Sequence, residues 1–231
     1  MLKNPLHPLL HLFIPHCCPG CGSDIMSRQQ VLCMHCINQL PVTGFHDHAG
    51  NPVEKIFWGR MPVTSAASYL YFSKDSLLQH IVHELKYKGN KELGLFMGRK
   101  MGAALLQTHR FSGIGVLVPL PLFKARERKR GYNQAQVLCQ GMAQVLSLPV
   151  LDKAIGRQQS SETQTNKNRI NRWLNMQGKF ELQDPNAIAG KHILLVDDVI
   201  TTGATLEACG QELLTAPGTR LSIMTMAYTV K

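Results

Sequence analysis

The chain has 231 residues, 44% of them hydrophobic, and a formal net charge of +10. That length suits one large domain or a domain with a small module, and that apolar fraction is ordinary for a globular protein with a sizeable core. A chain this basic favours polyanionic partners such as nucleic acid, phosphorylated small molecules or an acidic membrane surface, and the excess charge alone does not choose among them.

The N-terminal stretch MLKNPLHPLLHLFIP is broken by three prolines and two histidines and has no small-residue cleavage site after it, so no signal peptide is read there. No apolar run reaches the roughly 18 residues of a membrane span. The expectation is a cytoplasmic protein without an integral membrane segment.

Five of the seven cysteines fall between residues 17 and 36. Clustering of this kind points to metal and a reducing compartment rather than to a disulfide framework. Cys18 and Cys21 form one C-x2-C pair and Cys33 and Cys36 a second, and four thiolates from two such turns make a closed tetrahedral zinc site. A closed site is structural, because no coordination position remains for a substrate. Cys17 stands beside Cys18 and could replace it as a ligand. The few apolar residues of this segment imply that metal binding supplies its folding energy. Residues 1–45 are read as this zinc module, 46–63 as a connector without clear periodicity, and 64–231 as the main domain.

In the main domain, TSAASYLYF (64–72) reads as a short strand. A helix follows, with Leu77, Leu78, Ile81, Val82 and Leu85 on one stripe and Gly89 as its stop. A second helix runs from about Lys91 to His109. The run IGVLVPLPL (114–122) suits a strand buried on both faces of a parallel sheet. Residues 133–146 have helical spacing, and PVLDKAI (149–155) reads as a further strand. Residues 156–178 are polar and long for a loop in a compact domain. KHILLVDDVI (191–200) is the clearest buried strand, followed by a helix from about Ala204 to Leu214 and a last strand over 220–230. Strands alternating with helices predict an open α/β sheet.

The stretch ILLVDDVITTGAT (193–205) carries the chemistry. Asp197 and Asp198 stand at the carboxyl edge of a buried strand, where ligands bind in open α/β sheets. Adjacent carboxylates on extended backbone point to opposite sides, so they can grip different parts of one ligand. The paired hydroxyls of a sugar, with Mg²⁺ nearby, are a suitable target. Thr201, Thr202, Gly203, Ala204 and Thr205 then lead into a helix, whose first backbone N–H groups and dipole cradle a phosphate. The loop holds no lysine and no G-x4-G-K-[ST], which argues against a nucleoside triphosphate P-loop.

Two basic stretches supply partners for further phosphate. FKARERKRGYNQ (123–134) follows a buried strand and contains Lys124, Arg126, Arg128, Lys129 and Arg130. Arginine forks match phosphate oxygens in pairs, although a solvated basic turn or a nucleic-acid patch would have the same composition. Gly131 to Asn133 open a helix, a further site that favours anions. The stretch 156–178, with Arg157, Lys167, Arg169 and Arg172, suits a basic lid that closes over diphosphate, or a surface loop.

ILLVDDVITTGAT resembles the phosphoribosyl pyrophosphate (PRPP) signature of type I phosphoribosyltransferases. Adding the paired C-x2-C module, HELKYKG (83–89), Pro119, Pro121 and Leu122, then Arg128 to Gln134, and the lid residues Gln164, Thr165, Arg172, Asn175 and Phe180, the chain resembles the ComF family along nearly its whole length. That family is tied to natural competence, the import of single-stranded DNA. The resemblance implies a type I phosphoribosyltransferase-like fold, an open and mostly parallel sheet flanked by helices, with an N-terminal zinc module. It implies that Asp197 and Asp198 contact the ribose 2- and 3-hydroxyls and that residues 201–205 hold the 5-phosphate. Mg²⁺ would accompany PRPP, and Lys124, Arg126, Arg128, Arg130 and Arg172 would face its diphosphate. Single-stranded DNA and competence proteins such as a helicase are the implied partners. Whether the chain transfers the phosphoribosyl group or only binds is left open by its residues, and no acceptor pocket is read from them.

Overall fold

The computed structural model describes residues 17–24, 26–27, 29–74, 76–158 and 180–230. In chain order these hold α1 (Met34–Asn38), α2 (Pro52–Phe57), β1 (Ala66–Phe72), α3 (Leu77–Tyr87), α4 (Lys91–Leu106), a 3-10 turn (His109–Phe111) and β2 (Val116–Pro119). There follow α5 (Lys124–Arg130), α6 (Gln134–Leu146), β3 (Ile155–Arg157), β4 (Phe180–Leu182), α7 (Pro185–Ile188), β5 (His192–Ile200), α8 (Ala204–Leu213) and β6 (Arg220–Thr229).

The main sheet runs β1-β6-β5-β2 with every neighbouring pair parallel. Its central strands are buried because both faces are covered: Ile193, Leu194, Leu195 and Val196 of β5 and Ile223, Met224 and Met226 of β6 have no exposed surface. On one face α4 and α6 approach closely. A Cβ on Gly98 would lie 2.2 Å from the Leu138 carbonyl oxygen, and one on Gly141 would lie 2.3 Å from that of Leu95, so this crossing admits only glycine.

Several expectations shift. The 114–122 run pairs only over Val116–Pro119, and the Leu120 N–H makes its last bond to β5 before Pro121, which has no N–H to donate. PVLDKAI contributes a single parallel bridge, Val150 to Leu117, before turning at Asp152 and Lys153; its end, Ile155, begins β3 instead. β3 pairs antiparallel with β4 in a separate two-stranded sheet. The basic stretch after β2 is a helix rather than a loop. Its Lys, Ala, Arg and Glu residues favour helix, and Gly131 ends it in the left-handed conformation. The connector stretch carries α2, capped by Asn51, whose side chain accepts from the N–H of Val53 and Glu54 while its amide donates to the carbonyls of Phe45, His48 and Ala66. Val53 and Phe57 of α2 are buried.

Candidate functional site

β5 keeps its pairing with β6 through Ile200, but its pairing with β2 ends at Val196, where the Leu120 N–H donates to the Val196 carbonyl at 2.8 Å. The two carboxylates follow at once, where β2 has peeled away and left room beside the strand. As the alternation of a strand requires, they part company. Asp197 joins residues 199–206 in lining a cleft of about 50 Å³, while Asp198 turns to Lys86 of α3, whose Nζ lies 3.0 Å from Oδ2. The Asp198 N–H donates to Asp197 Oδ1 at 2.8 Å, and the Val199 N–H to Asp198 Oδ1 at 2.7 Å. Burial, and then the neighbouring Asp198, hold the Asp197 carboxyl well above the usual carboxylate range.

The threonine loop closes the same cleft. Gly203 takes φ +73°, and a Cβ there would lie 2.5 Å from Ile56 Cγ2 and 3.1 Å from the Phe57 ring. Both the turn and the seat on α2 therefore demand glycine. No side chain among the described residues caps α8 at Gly203, so the leading N–H groups of that helix are left for a ligand. Arg60 braces the loop from outside, donating to the Thr202 carbonyl at 3.2 Å and pairing with Glu207 of α8.

The candidate diphosphate residues do not converge. Successive helical positions turn by about 100°, so Lys124 and Arg128 share one side of α5 while Arg126 and Arg130 lie on the other. No residue of α5 is buried. Arg130 donates to Gln134 Oε1 at 2.6 Å. The start of α6 is partly occupied by its own chain, because Asn133 Oδ1 accepts from the Ala135 N–H at 3.0 Å. Arg172 and the lid residues Gln164, Thr165 and Asn175 lie outside the described residues.

A second cleft, about 580 Å³, opens between the Pro119–Leu122 turn, α5 and the β3–β4 hairpin, and sequence reasoning did not find it. Arg157 lines it with its guanidinium 3.8 Å from the centroid of the Phe123 ring and 5.0 Å from that of Phe180. Burial and then Arg126 lower its pKa, against the opposing influence of Cys209 and Asp197. Lys86 and Arg157 were legible only as a lysine in HELKYKG and an arginine at the start of the polar stretch; nothing in the sequence paired Lys86 with Asp198 or set Arg157 against Phe123.

At the other end of α3 the four cysteines meet. The ligand atoms of Cys18, Cys21, Cys33 and Cys36 all lie within 4.8 Å of one another, and the Cys18–Cys36 and Cys21–Cys33 sulfur separations are each 3.7 Å. Four sulfurs about 2.3 Å from a tetrahedral ion would stand roughly 3.8 Å apart, so the cluster has the size of a metal site and could bind one. Cys17 is exposed and stands outside it. Although burial opposes its ionisation, backbone N–H groups of Cys33, Cys21 and Gly20 hold the Cys18 thiol down to about 6, while burial and the neighbouring sulfurs push Cys36 up.

No helix among the described residues is long and apolar enough to cross a membrane. Residues 129–228 match the phosphoribosyl transferase domain family. The chain is 29% identical over 201 residues to the DNA utilization protein YhgH of Escherichia coli (strain K12), covering 85% of this chain and 83% of that protein. It is 29% identical over 202 residues to competence protein F of Haemophilus influenzae, with the same coverage. It is 36% identical over 99 residues to competence protein ComFC of Bacillus subtilis, covering 43% of this chain and 38% of that one.

Proposed function

We propose that this chain, whose phosphoribosyl transferase domain and competence-protein relatives support a place in the ComF family, binds Mg·PRPP in the cytoplasm and serves DNA uptake or nucleotide metabolism. The observation that carries this reading is the cleft shared by Asp197 and the Thr201–Thr205 turn, with free helix N–H groups on one side and a carboxylate on the other. The N–H groups and threonine hydroxyls receive the 5-phosphate, and the two carboxylates accept hydrogen bonds from the ribose hydroxyls. Mg²⁺, arriving with the diphosphate, would neutralise charge on that group. If transfer occurs, the bond from the anomeric carbon to diphosphate breaks through an oxocarbenium-like state, and positioning and electrostatics carry the catalysis. The 580 Å³ cleft beside Arg157 is the place for whatever else the reaction needs. The four cysteines would hold a structural zinc, which binds the N-terminal segment together.

The test is calorimetric titration with Mg·PRPP. Asp197→Ala combined with Asp198→Ala should abolish the binding heat while leaving the far-ultraviolet spectrum intact; unchanged affinity would sink the reading.

A second reading, a non-catalytic module for single-stranded DNA and competence partners such as a helicase, is favoured by α5. That helix carries cations around its whole circumference and buries none of its residues, which is more positive charge than one diphosphate can meet. Single-stranded DNA binding with a steep salt slope that survives loss of both carboxylates would favour this second reading.

A further inference from the structure

The signature accounts for Asp198 but not for the group that holds it. Lys86 comes from the last turn of α3, far away in the chain, and places its ammonium 3.0 Å from Asp198 Oδ2 while the Val199 N–H takes Oδ1 at 2.7 Å. Both oxygens of this carboxylate thus have a fixed partner, and its plane is set before a ligand arrives. The two side chains are only 22% and 14% exposed, so solvent and salt screen the pair less than they would a surface pair.

The helix that delivers Lys86 is itself held at both ends. At the C-terminal end, the Leu85 carbonyl accepts from the Tyr132 hydroxyl and, at 3.4 Å, from the Gln134 amide. At the N-terminal end, the His80 ring nitrogen Nδ1 lies 3.0 Å from the Gly20 carbonyl of the cysteine segment. Gly20 packs so closely there that a Cβ would come within 2.5 Å of Leu77. A lysine present only for solubility would need neither this anchoring nor this partner.

We propose that Lys86 is a positioning residue of the sugar-phosphate site, fixing the Asp198 carboxylate in the orientation that accepts a ribose hydroxyl and acting through Asp198 rather than on the diphosphate. The inference rests on the reading that the twin carboxylates hold the ribose. Its physical basis is preorganisation. A carboxylate already locked by an ammonium and a backbone N–H loses little freedom when the sugar docks, whereas an unpaired one must be ordered at the moment of binding.

The experiment titrates the full chain with two ligands: Mg·PRPP, and ribose 5-phosphate, which keeps the hydroxyls and the 5-phosphate but lacks the diphosphate. Truncating one partner of a desolvated pair has a large effect, so Lys86→Met should weaken both ligands by the same factor, about tenfold or more. Lys86→Arg, which keeps the charge, should recover most of the loss for both, a rescue that a purely structural role for the lysine stem would not require. Lys86→Gln, which keeps a donor, should fall between them, and it takes the place of Lys86→Met if that variant does not fold. A loss confined to Mg·PRPP would put Lys86 on the diphosphate and overturn the inference, as would unchanged affinity for both ligands. If the unaltered chain gives no heat with Mg·PRPP, the underlying reading fails and the inference falls with it. If the unaltered chain binds and Lys86→Met binds equally well, only the inference fails.

Discussion

Gly203→Ala tests whether the threonine loop is seated as the structure describes. Two costs arise. The alanine must hold φ +73°, and a left-handed backbone costs an L-residue roughly 1–2 kcal/mol. Its Cβ must also fit where Ile56 Cγ2 stands 2.5 Å away and the Phe57 ring 3.1 Å away, an overpacking that typically costs about 1–3 kcal/mol. Together these predict a loss of roughly 2–5 kcal/mol, or a fall in melting temperature of about 4–20 °C for a chain of this size. Calorimetric or fluorescence-monitored melting would measure it. The two parts separate in a double-mutant cycle. Ile56→Ala removes the nearer obstructing carbon, so Gly203→Ala should cost less in that background, by up to the packing part. Equal cost in both backgrounds would show that α2 does not seat the loop. A neutral Gly203→Ala would refute the backbone argument as well.

Two further outcomes follow from the same geometry. Burial and Asp198 raise the Asp197 carboxyl well above its unfolded value of 3.8, so the folded chain keeps a proton that the unfolded chain gives up. Stability should therefore fall as pH rises from that value through the folded pKa, and Asp197→Asn should remove this slope. Melting curves for the two proteins should converge near pH 4 and diverge toward neutral pH with the variant the more stable; parallel curves would contradict this. Elemental analysis of protein purified without chelators should find about one zinc per chain, and Cys33→Ser should lose it while Cys17→Ser keeps it. Absence of metal, or equal loss in both variants, would rule out the cluster as drawn.

What the sequence disclosed depended on how local the cause was. β5 was legible because an apolar run ending in two carboxylates is a buried strand meeting a polar edge, and both facts lie in nine consecutive residues. The clustering of the cysteines was legible for the same reason, and the structure brings Cys18 into the cluster while Cys17 is exposed outside it. Helix α5 was hidden because it has no buried face and so no apolar period; what ends it is one glycine. β3 was misplaced because PVLDKAI looks like one strand, yet Asp152 and Lys153 are exposed and turn the chain between two sheets. The α2 stretch shows no period because a helix of six residues offers too few turns, and its cap, Asn51, works partly through the Ala66 carbonyl well beyond the helix.

The same distinction governs the site. Its signature is one stretch, but its stability is drawn from elsewhere: Gly203 rests on Ile56 and Phe57, Thr202 and Glu207 are braced by Arg60, and Asp198 is held by Lys86. Three segments that the sequence offers as connector, turn and helix end therefore meet around one cleft, the site proposed for the ligand. A motif search sees only the part proposed to touch the sugar. The supporting residues act by fixing a backbone angle, a carbonyl and a carboxylate plane, and each of those is set by a contact between distant parts of the chain. It follows that substitutions at Ile56, Arg60 and Lys86 should change ligand affinity although none of them lies in the signature, and that a transplanted signature lacking these three supports would keep its residues but not their geometry.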